Sequence, residues 1–230
     1  MKERSRAVTI VLTLALTLSI TGATVGATPP SKVYVSNSND SGPGSFRAAI
    51  LQANLIPAIT RVEFRWWVST IFLQSTVWFT GPQDLTIDGN RATLDGTNAG
   101  GPAFFMDNGD DLTVSGLTVR NAPAEGIKVE VPGGATGTVR VVLFNVDIID
   151  NDGHGVLVND QVDPTDVANA SGSDASVAVS VFGTRFIRNG YTALISDLDG
   201  LRVNEGGEGD LSITITHSSA IAGTYAPPAV

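Results

Sequence analysis

The chain has 230 residues, a formal net charge of −9 at pH 7 and no cysteine. Disulfide bonds and thiolate metal sites are therefore excluded, and an acidic chain is poorly suited to binding nucleic acid. Oxygen ligands suit Ca²⁺, so calcium is the cofactor that the composition permits. A chain of this length can form one domain with a sizeable core.

The N-terminus has the pattern of a secretory signal peptide. Three basic residues within the first six precede an apolar stretch, and a small-residue cleavage site ends at Ala27. The alternative is an uncleaved membrane anchor, but the strongly apolar part, residues 7–20, is short for a bilayer span. We therefore predict export, with residues 1–27 as the signal peptide and membrane contact only through that segment.

Residues 28–60 are predicted to form a strand and a short helix. Residues 32–36 alternate apolar and polar side chains, as a strand does. Over residues 45–54 the apolar period becomes that of a helix, with one face formed by Phe46, Ala49, Ile50 and Ala53. We expect this helix to cover the open apolar end of a coil of strands, because terminal repeats of such coils need capping.

One spacing of apolar residues recurs along the rest of the chain. Each copy is two short alternating strands joined by a two-residue corner, and its apolar side chains point to the same side. This recurrence predicts an all-β solenoid of about five to seven turns over residues 61–230. The copies are Leu112, Val114, Leu117 and Val119; Val141, Leu143, Val146 and Ile148; Val179, Val181, Thr184 and Phe186; and, more weakly, Ile213, Ile215, Ser218 and Ala220.

Aligning the copies predicts a structural column at the corner between the two strands. Gly116, Asn145 and Gly183 share this position, with Gly89 matching upstream and His217 downstream. Glycine and asparagine tolerate left-handed backbone, and histidine is somewhat enriched there. A sharp corner between two strands needs such a residue.

The same alignment predicts which outward side chains lie side by side on neighbouring strands. Opposite charges in register stabilise adjacent strands, each pair by about 0.2–1 kcal/mol. The aligned pairs are Asp147–Arg185, Asp150–Arg188, Asn151–Asn189 and Phe144–Phe182.

Residues 41–54 carry a resemblance to a known class of proteins. The segment reads Ser-Gly-Pro-Gly-Ser-Phe-Arg-Ala-Ala-Ile-Leu-Gln-Ala-Asn. It resembles the N-terminal segment of secreted bacterial right-handed β-helix proteins, in which a Gly-Ser-Leu-Arg-Glu-Ala-Ile helix closed by Ala-Asn precedes the rungs (the CSLREA type). Phe46 replaces the leucine and Ala48 the glutamate. The resemblance implies a single-stranded right-handed parallel β-helix of the pectate-lyase-like class, with a short N-terminal capping helix, secreted or held at the cell surface.

Such β-helices include polysaccharide hydrolases, and one group of residues is similar to their catalytic set. Asp107, Asp110 and Asp111, followed by His154 within Gly-His-Gly, have the order found in polygalacturonases. Those inverting enzymes use one carboxylic acid to protonate the leaving oxygen and another carboxylate to activate water. The chain lacks the lysine of the family's Arg-x-Lys element, having Arg202-Val-Asn instead.

A second group matches the residue types of pectate lyases, in which bound Ca²⁺ acidifies a proton that an arginine removes. The calcium candidates are Asp147, Asp150 and Asp152, with Arg188 or Arg185 as the base. The predicted cross-strand ion pairs already account for these charges, and an arginine so paired is a poor base.

The leading hypothesis is an exported, non-catalytic protein that binds an extracellular polysaccharide or a surface protein. Trp66, Trp67 and Trp78 form a sugar-stacking platform in one interpretation and pack in the core in the other. The alternative function is a polysaccharide lyase or hydrolase acting on acidic, pectin-like glycans. A third interpretation is a fragment of a longer protein, since residues 226–230 carry no recognisable C-terminal cap.

Overall fold

The computed structural model describes residues 31–161, 172–190 and 199–221. The predicted signal peptide and residues 226–230 lie outside these ranges. The described residues form eighteen strands and one helix. The helix in these ranges is not long and apolar enough to cross a membrane.

The elements follow in chain order. They are β1 (Lys32–Val35), α1 (Phe46–Leu55), β2 (Arg61–Phe64), β3 (Thr70–Phe72), β4 (Val77–Phe79), β5 (Leu85–Asp88), β6 (Thr93–Asp95), β7 (Phe104–Asp107), β8 (Leu112–Ser115), β9 (Thr118–Arg120), β10 (Ile127–Glu130), β11 (Thr138–Phe144), β12 (Asp147–Ile149), β13 (Val156–Asp160), β14 (Ser176–Phe182), β15 (Arg185–Ile187), β16 (Leu201–Glu205), β17 (Leu211–Thr216) and β18 (Ser219–Ile221).

The strands form three sheets in which every pairing is parallel. Sheet A has the order β1-β2-β5-β8-β11-β14-β17, sheet B β3-β6-β9-β12-β15-β18, and sheet C β4-β7-β10-β13-β16. From β2 onward the chain visits sheets A, B and C in turn five times, and β17 and β18 then return to A and B. The predicted all-β class is confirmed, and the arrangement is compatible with a parallel β-helix.

The core lies between the three sheets and is formed by the recurring apolar positions. Val114, Leu143 and Val181 are neighbours in sheet A and are almost completely buried. Burying one such side chain stabilises the fold by about 1.5–3 kcal/mol. Ile213 and Ile215 continue the same face in β17 but are 44% and 54% exposed, because no described strand of sheet A lies beyond β17.

Helix α1 forms where the sequence predicts it and packs on β1, β2 and β4. Ser45 is the N-cap, and its hydroxyl oxygen accepts a hydrogen bond from the Ala48 amide. The predicted apolar face is the one that is buried. The ring of Phe46 lies 5.3 Å from that of Phe64, measured between centroids, so the helix is anchored to the first strands of sheet A.

The corners from sheet A to sheet B, here called the A–B corners, have two residues in each of the last four turns. The first residue is left-handed every time: φ is 56° at Gly116, 52° at Asn145, 60° at Gly183 and 52° at His217. A β-carbon on Gly183 would collide with the side-chain oxygen of Asn145. Backbone conformation and space therefore both favour glycine at position 183.

The upstream corner differs from the aligned expectation. Gly89 follows β5 as Gly116 follows β8, but the left-handed residues are the next two, Asn90 at φ 46° and Arg91 at φ 69°. The reason is length: this corner has four residues, 89–92, because the first turns of the coil have longer corners than the later ones.

Sheet C was not part of the predicted repeat. Its strands are joined to sheet A by connections of four to fifteen residues, here called the C–A connections, so no constant spacing marks them in the sequence. The longest joins β13 to β14 and includes residues outside the described ranges. Asp160, 1% exposed, joins the two ends of this connection, because its carboxylate accepts hydrogen bonds from the Ser173 amide at 2.8 Å and hydroxyl at 3.1 Å.

Candidate functional site

Two bidentate ion pairs lie on the outside of the coil, at sheet B. Asp147 is in register with Arg185, whose Nε and Nη2 donate to the carboxylate at 2.7 and 2.6 Å. Arg188 binds Asp150 in the same manner, at 2.6 and 2.5 Å. Hydrogen bonds from each guanidinium to its aspartate, together with the negative charge, raise the pKa of both arginines. A raised pKa keeps the Arg188 guanidinium protonated, so this side chain is less available as a general base than an unpaired arginine.

A second left-handed column follows the strands of sheet B, and the sequence analysis missed it. Asn121, Asp150 and Arg188 have φ of 57°, 52° and 50°. Asparagine and aspartate are common in left-handed positions, so the conformations of Asn121 and Asp150 could have been predicted from the sequence. The left-handed conformation of Arg188 could not have been predicted in this way. Asp150 and Arg188 thus make their ion pair from backbone positions that side chains rarely occupy.

The calcium candidates are not assembled into a metal site. Asp147 and Asp150 each bind an arginine, and the Asp152 amide donates to the Ala122 carbonyl. Nowhere in the described ranges do three or more histidine, cysteine, aspartate or glutamate side chains group so as to hold a metal ion.

The structure separates the hydrolase candidates. Asp107 ends β7, and Asp110 and Asp111 follow it in a C–A connection, whereas His154 lies between sheets B and C, before β13. Asp107 is in register with Glu130 and then Asn159, which is five residues from His154. At about 3.3 Å per residue, His154 and Asp107 lie roughly 16 Å apart along the strand direction.

The environment of Asp110 favours the protonated form of its carboxyl group more than that of an ordinary aspartate does. Burial raises its pKa, and the negative charges of Asp84 and Asp111 raise it further. Asp111 is itself engaged by Arg140, whose amide donates to Oδ1 at 2.8 Å and whose Nη1 lies 3.4 Å from Oδ2. The cluster therefore contains the two residue types that glycoside hydrolysis requires, an acid and a carboxylate, but the carboxylate of Asp111 is held by Arg140.

His154 is 7% exposed and serves the backbone of the corner between sheets B and C. Its Nδ1 accepts a hydrogen bond from the Asp199 amide at 2.9 Å. A ring nitrogen that accepts from an amide carries no proton, so the neutral ring has its proton on Nε2. The flanking Gly155 amide donates to the Asp199 carbonyl at 2.9 Å, so this segment holds two turns together.

The three tryptophans lie on the surface and not in the core. Trp66 and Trp67 are 78% and 54% exposed and pack edge to face in the first A–B corner, with centroids 5.6 Å apart. Trp78, 51% exposed, points outward from β4 in sheet C. The core interpretation is wrong, and the three residues do not form one platform.

Trp78 begins a column of outward side chains across sheet C. Phe105 is its neighbour in register, with ring centroids 4.4 Å apart at 80°, and Lys128 follows with Nζ 5.3 Å from the centre of the Phe105 ring. We call Trp78, Phe105 and Lys128 the aromatic strip. Phe105 is 8% exposed, so it supports the exposed tryptophan from beside.

A polar column lies two residues further along the same strands. The side-chain amide of Asn159 donates to Glu130 at 2.7 Å, and the side-chain amide of Asn204 donates to the Asn159 side-chain oxygen at 3.0 Å. Lys128 Nζ lies 2.7 Å from Glu130, which joins this column to the aromatic strip. The outer face of sheet C therefore presents an exposed aromatic ring beside charged and polar side chains. No family model matches the chain, and neither the curated proteins nor the solved structures contain a match.

Proposed function

We propose that the chain is an exported, non-catalytic right-handed parallel β-helix, capped at its N-terminal end by α1, that binds extracellular glycans through the aromatic strip. The observation that carries the proposal is Trp78, half exposed and held edge to face by Phe105 on the outer face of sheet C. A fixed, exposed indole ring offers a flat apolar surface to a pyranose ring at little cost in conformational entropy.

The neighbouring groups supply what stacking alone lacks. Glu130 and Lys128, both partly exposed and 2.7 Å apart between Oε1 and Nζ, provide charged hydrogen-bonding groups near the ring. The strip crosses parallel strands about 4.8 Å apart, so it extends along the coil over neighbouring turns and offers contacts to more than one sugar unit of a linear glycan. Separation of the candidate catalytic residues supports a binding function over catalysis.

Trp78→Ala provides the test. We expect the purified protein to be retarded in affinity electrophoresis by members of a panel of neutral and uronate polysaccharides, and this substitution to weaken retardation about tenfold, the value of one stacked ring. Trp66→Ala is the matched control, because Trp66 is exposed but lies outside the strip. Equal binding by the wild type and Trp78→Ala would overturn the proposal, provided that both melt at the same temperature.

The second candidate function is hydrolysis of acidic glycans, and the raised pKa of Asp110 is the observation that favours it. Incubation with uronate polymers separates the two functions. New reducing ends that disappear in Asp110→Asn would establish the hydrolase, and unsaturated ends that disappear in Arg188→Ala would establish a lyase. Unchanged polymers support the binding function.

A further inference from the structure

A polar cavity of about 380 Å³ opens at the A–B corners, away from the aromatic strip. Three successive turns contribute to it: the corners between β5 and β6, β8 and β9, and β11 and β12. We call it the A–B pocket. It is lined by Arg91, Gly116, Leu117, Thr118, Asn145 and Asp147.

Arg91 differs from the other basic residues of the described ranges. The side chain of each of the others has an ion pair, a hydrogen bond or an aromatic ring contact, whereas the Arg91 side chain has none with any described residue; only its backbone amide is engaged, donating to the Gly116 carbonyl at 2.6 Å. Its side chain is exposed at the pocket. An exposed guanidinium with five unused donors is suited to binding an anion bidentately.

The backbone that carries Arg91 is strained. Arg91 has φ 69°, in the left-handed region that a residue with a β-carbon rarely adopts, and it follows Asn90, also left-handed. The four-residue corner that places it there has two residues more than the later corners. Strain of this kind persists at functional sites more often than elsewhere, because the side chain is needed where the backbone puts it.

The other polar groups of the pocket have unused hydrogen-bonding capacity. The side-chain amide of Asn145 and the hydroxyl of Thr118 form no hydrogen bond with a described residue, whereas the Asp147 carboxylate is held by Arg185. Gly116 lies between these turns without a side chain, and a β-carbon there would meet only ordinary contacts, at 3.6 Å or more. The space above it is open.

We propose that the A–B pocket binds a sugar that carries a single negative charge, as a carboxylate or a sulfate ester. Arg91 pairs with the anionic group, and Asn145 and Thr118 form hydrogen bonds with ring hydroxyls. One cation beside the Asp147 carboxylate, in a chain of net charge −9, favours a monoanion over a doubly charged phosphate. The inference extends the proposed glycan binding to a different surface, so either can fail alone.

The test titrates the whole protein with glucuronate, glucose 6-sulfate and glucose. Binding of each sugar is measured by titration calorimetry at low ionic strength. We expect one or both anionic sugars to bind and glucose to bind at least tenfold more weakly. Binding of glucuronate alone identifies a carboxylate ligand, and binding of the sulfate alone identifies a sulfated one. Equal binding of glucose, or binding of neither anionic sugar, would overturn the proposal.

Arg91→Gly is the decisive variant, because it removes the guanidinium and also relieves the left-handed backbone. We expect affinity for the anionic sugar to fall at least tenfold while the melting temperature stays equal or rises. Asn90→Gly relaxes the neighbouring residue and should leave affinity unchanged. Retained affinity in Arg91→Gly contradicts the proposal.

Gly116→Asn tests the location of the site. Asparagine is the residue of the next corner, at Asn145, so the left-handed backbone accepts it while its side chain fills the pocket. We expect loss of anionic sugar binding with an unchanged melting temperature. Trp78→Ala should leave binding of the small anionic sugar intact, which separates this site from the aromatic strip. Unchanged binding in Gly116→Asn would contradict the assigned location.

Discussion

The A–B corner and the C–A connection join strands of the same coil but tolerate very different variation. In the last four turns the A–B corner has two residues, the first of them left-handed. The C–A connection ranges from four residues between β7 and β8 to fifteen between β13 and β14. The contrast shows where the register of the coil is determined: at the short corner, where one extra residue would turn inward side chains outward.

The two regions also differ in how they arrange charge. Beside the A–B corner, Asp147 faces Arg185 across neighbouring strands. In the C–A connection after β7, Asp110 lies close to two other carboxylates, and its pKa is raised by burial and by their charges. Opposite charges stabilise the register of the strands beside the A–B corner, whereas like charges repel one another in the C–A connection after β7.

Inserting one glycine in each region should give the largest difference. An insertion between Asn145 and Val146 reverses the inward and outward faces of β12, so we expect a loss of at least about 3 kcal/mol of unfolding free energy. The matched insertion between Gly133 and Gly134 lengthens a C–A connection and should change stability by less than about 0.5 kcal/mol. Urea unfolding followed by circular dichroism measures both, and equal effects would remove the contrast.

Reversing one charge at the A–B corner should have a smaller effect. Asp147→Arg places two arginines side by side and should lower the unfolding free energy by about 1 kcal/mol, and adding Arg185→Asp should recover part of it. Because Arg185 is more than half exposed, we expect a coupling energy of about 0.2–1 kcal/mol in the double-mutant cycle. A coupling energy of zero would show that the ion pair does not contribute to register.

Removing the repulsion in the C–A connection should give the smallest effect, and one that depends on pH. Below the ordinary aspartate pKa of about 3.9, Asp110 is protonated in the folded and unfolded states alike. As pH rises through its raised folded value, deprotonation costs the folded state stability.

Asp110→Asn should therefore raise the melting temperature at pH 7 but not at pH 3. Asp107→Asn, which removes an exposed carboxylate of the same region, is the control. A gain that is the same at both pH values would contradict the electrostatic explanation.

The fold could be predicted only where its spacing is constant. Sheets A and B recur with a two-residue corner, so their inward residues, such as Leu143 and Ile148, repeat at fixed offsets in the sequence. Sheet C strands follow connections of changing length, and β13 is buried on both sides, which removes the alternation that marks a strand with one exposed face.

The candidate sites were harder to predict, because they depend on register between distant turns. Trp78 and Phe105 become neighbours only once β4 and β7 are paired. Arg91 reaches its pocket through a corner two residues longer than the four later A–B corners, and no local pattern predicts a left-handed arginine. The ion pair of Asp147 and Arg185 could be predicted from the sequence because both residues follow an A–B corner of constant length.

The hydrogen bonds between Asp160 and Ser173 have a consequence for protein engineering. They join the two ends of the longest connection directly, so we expect β13 and β14 to keep their register when the sequence between residues 161 and 172 is changed. A peptide epitope or a small domain could therefore be grafted between residues 161 and 172, and Asp160→Ala would show whether this closure is what makes the scaffold tolerate it.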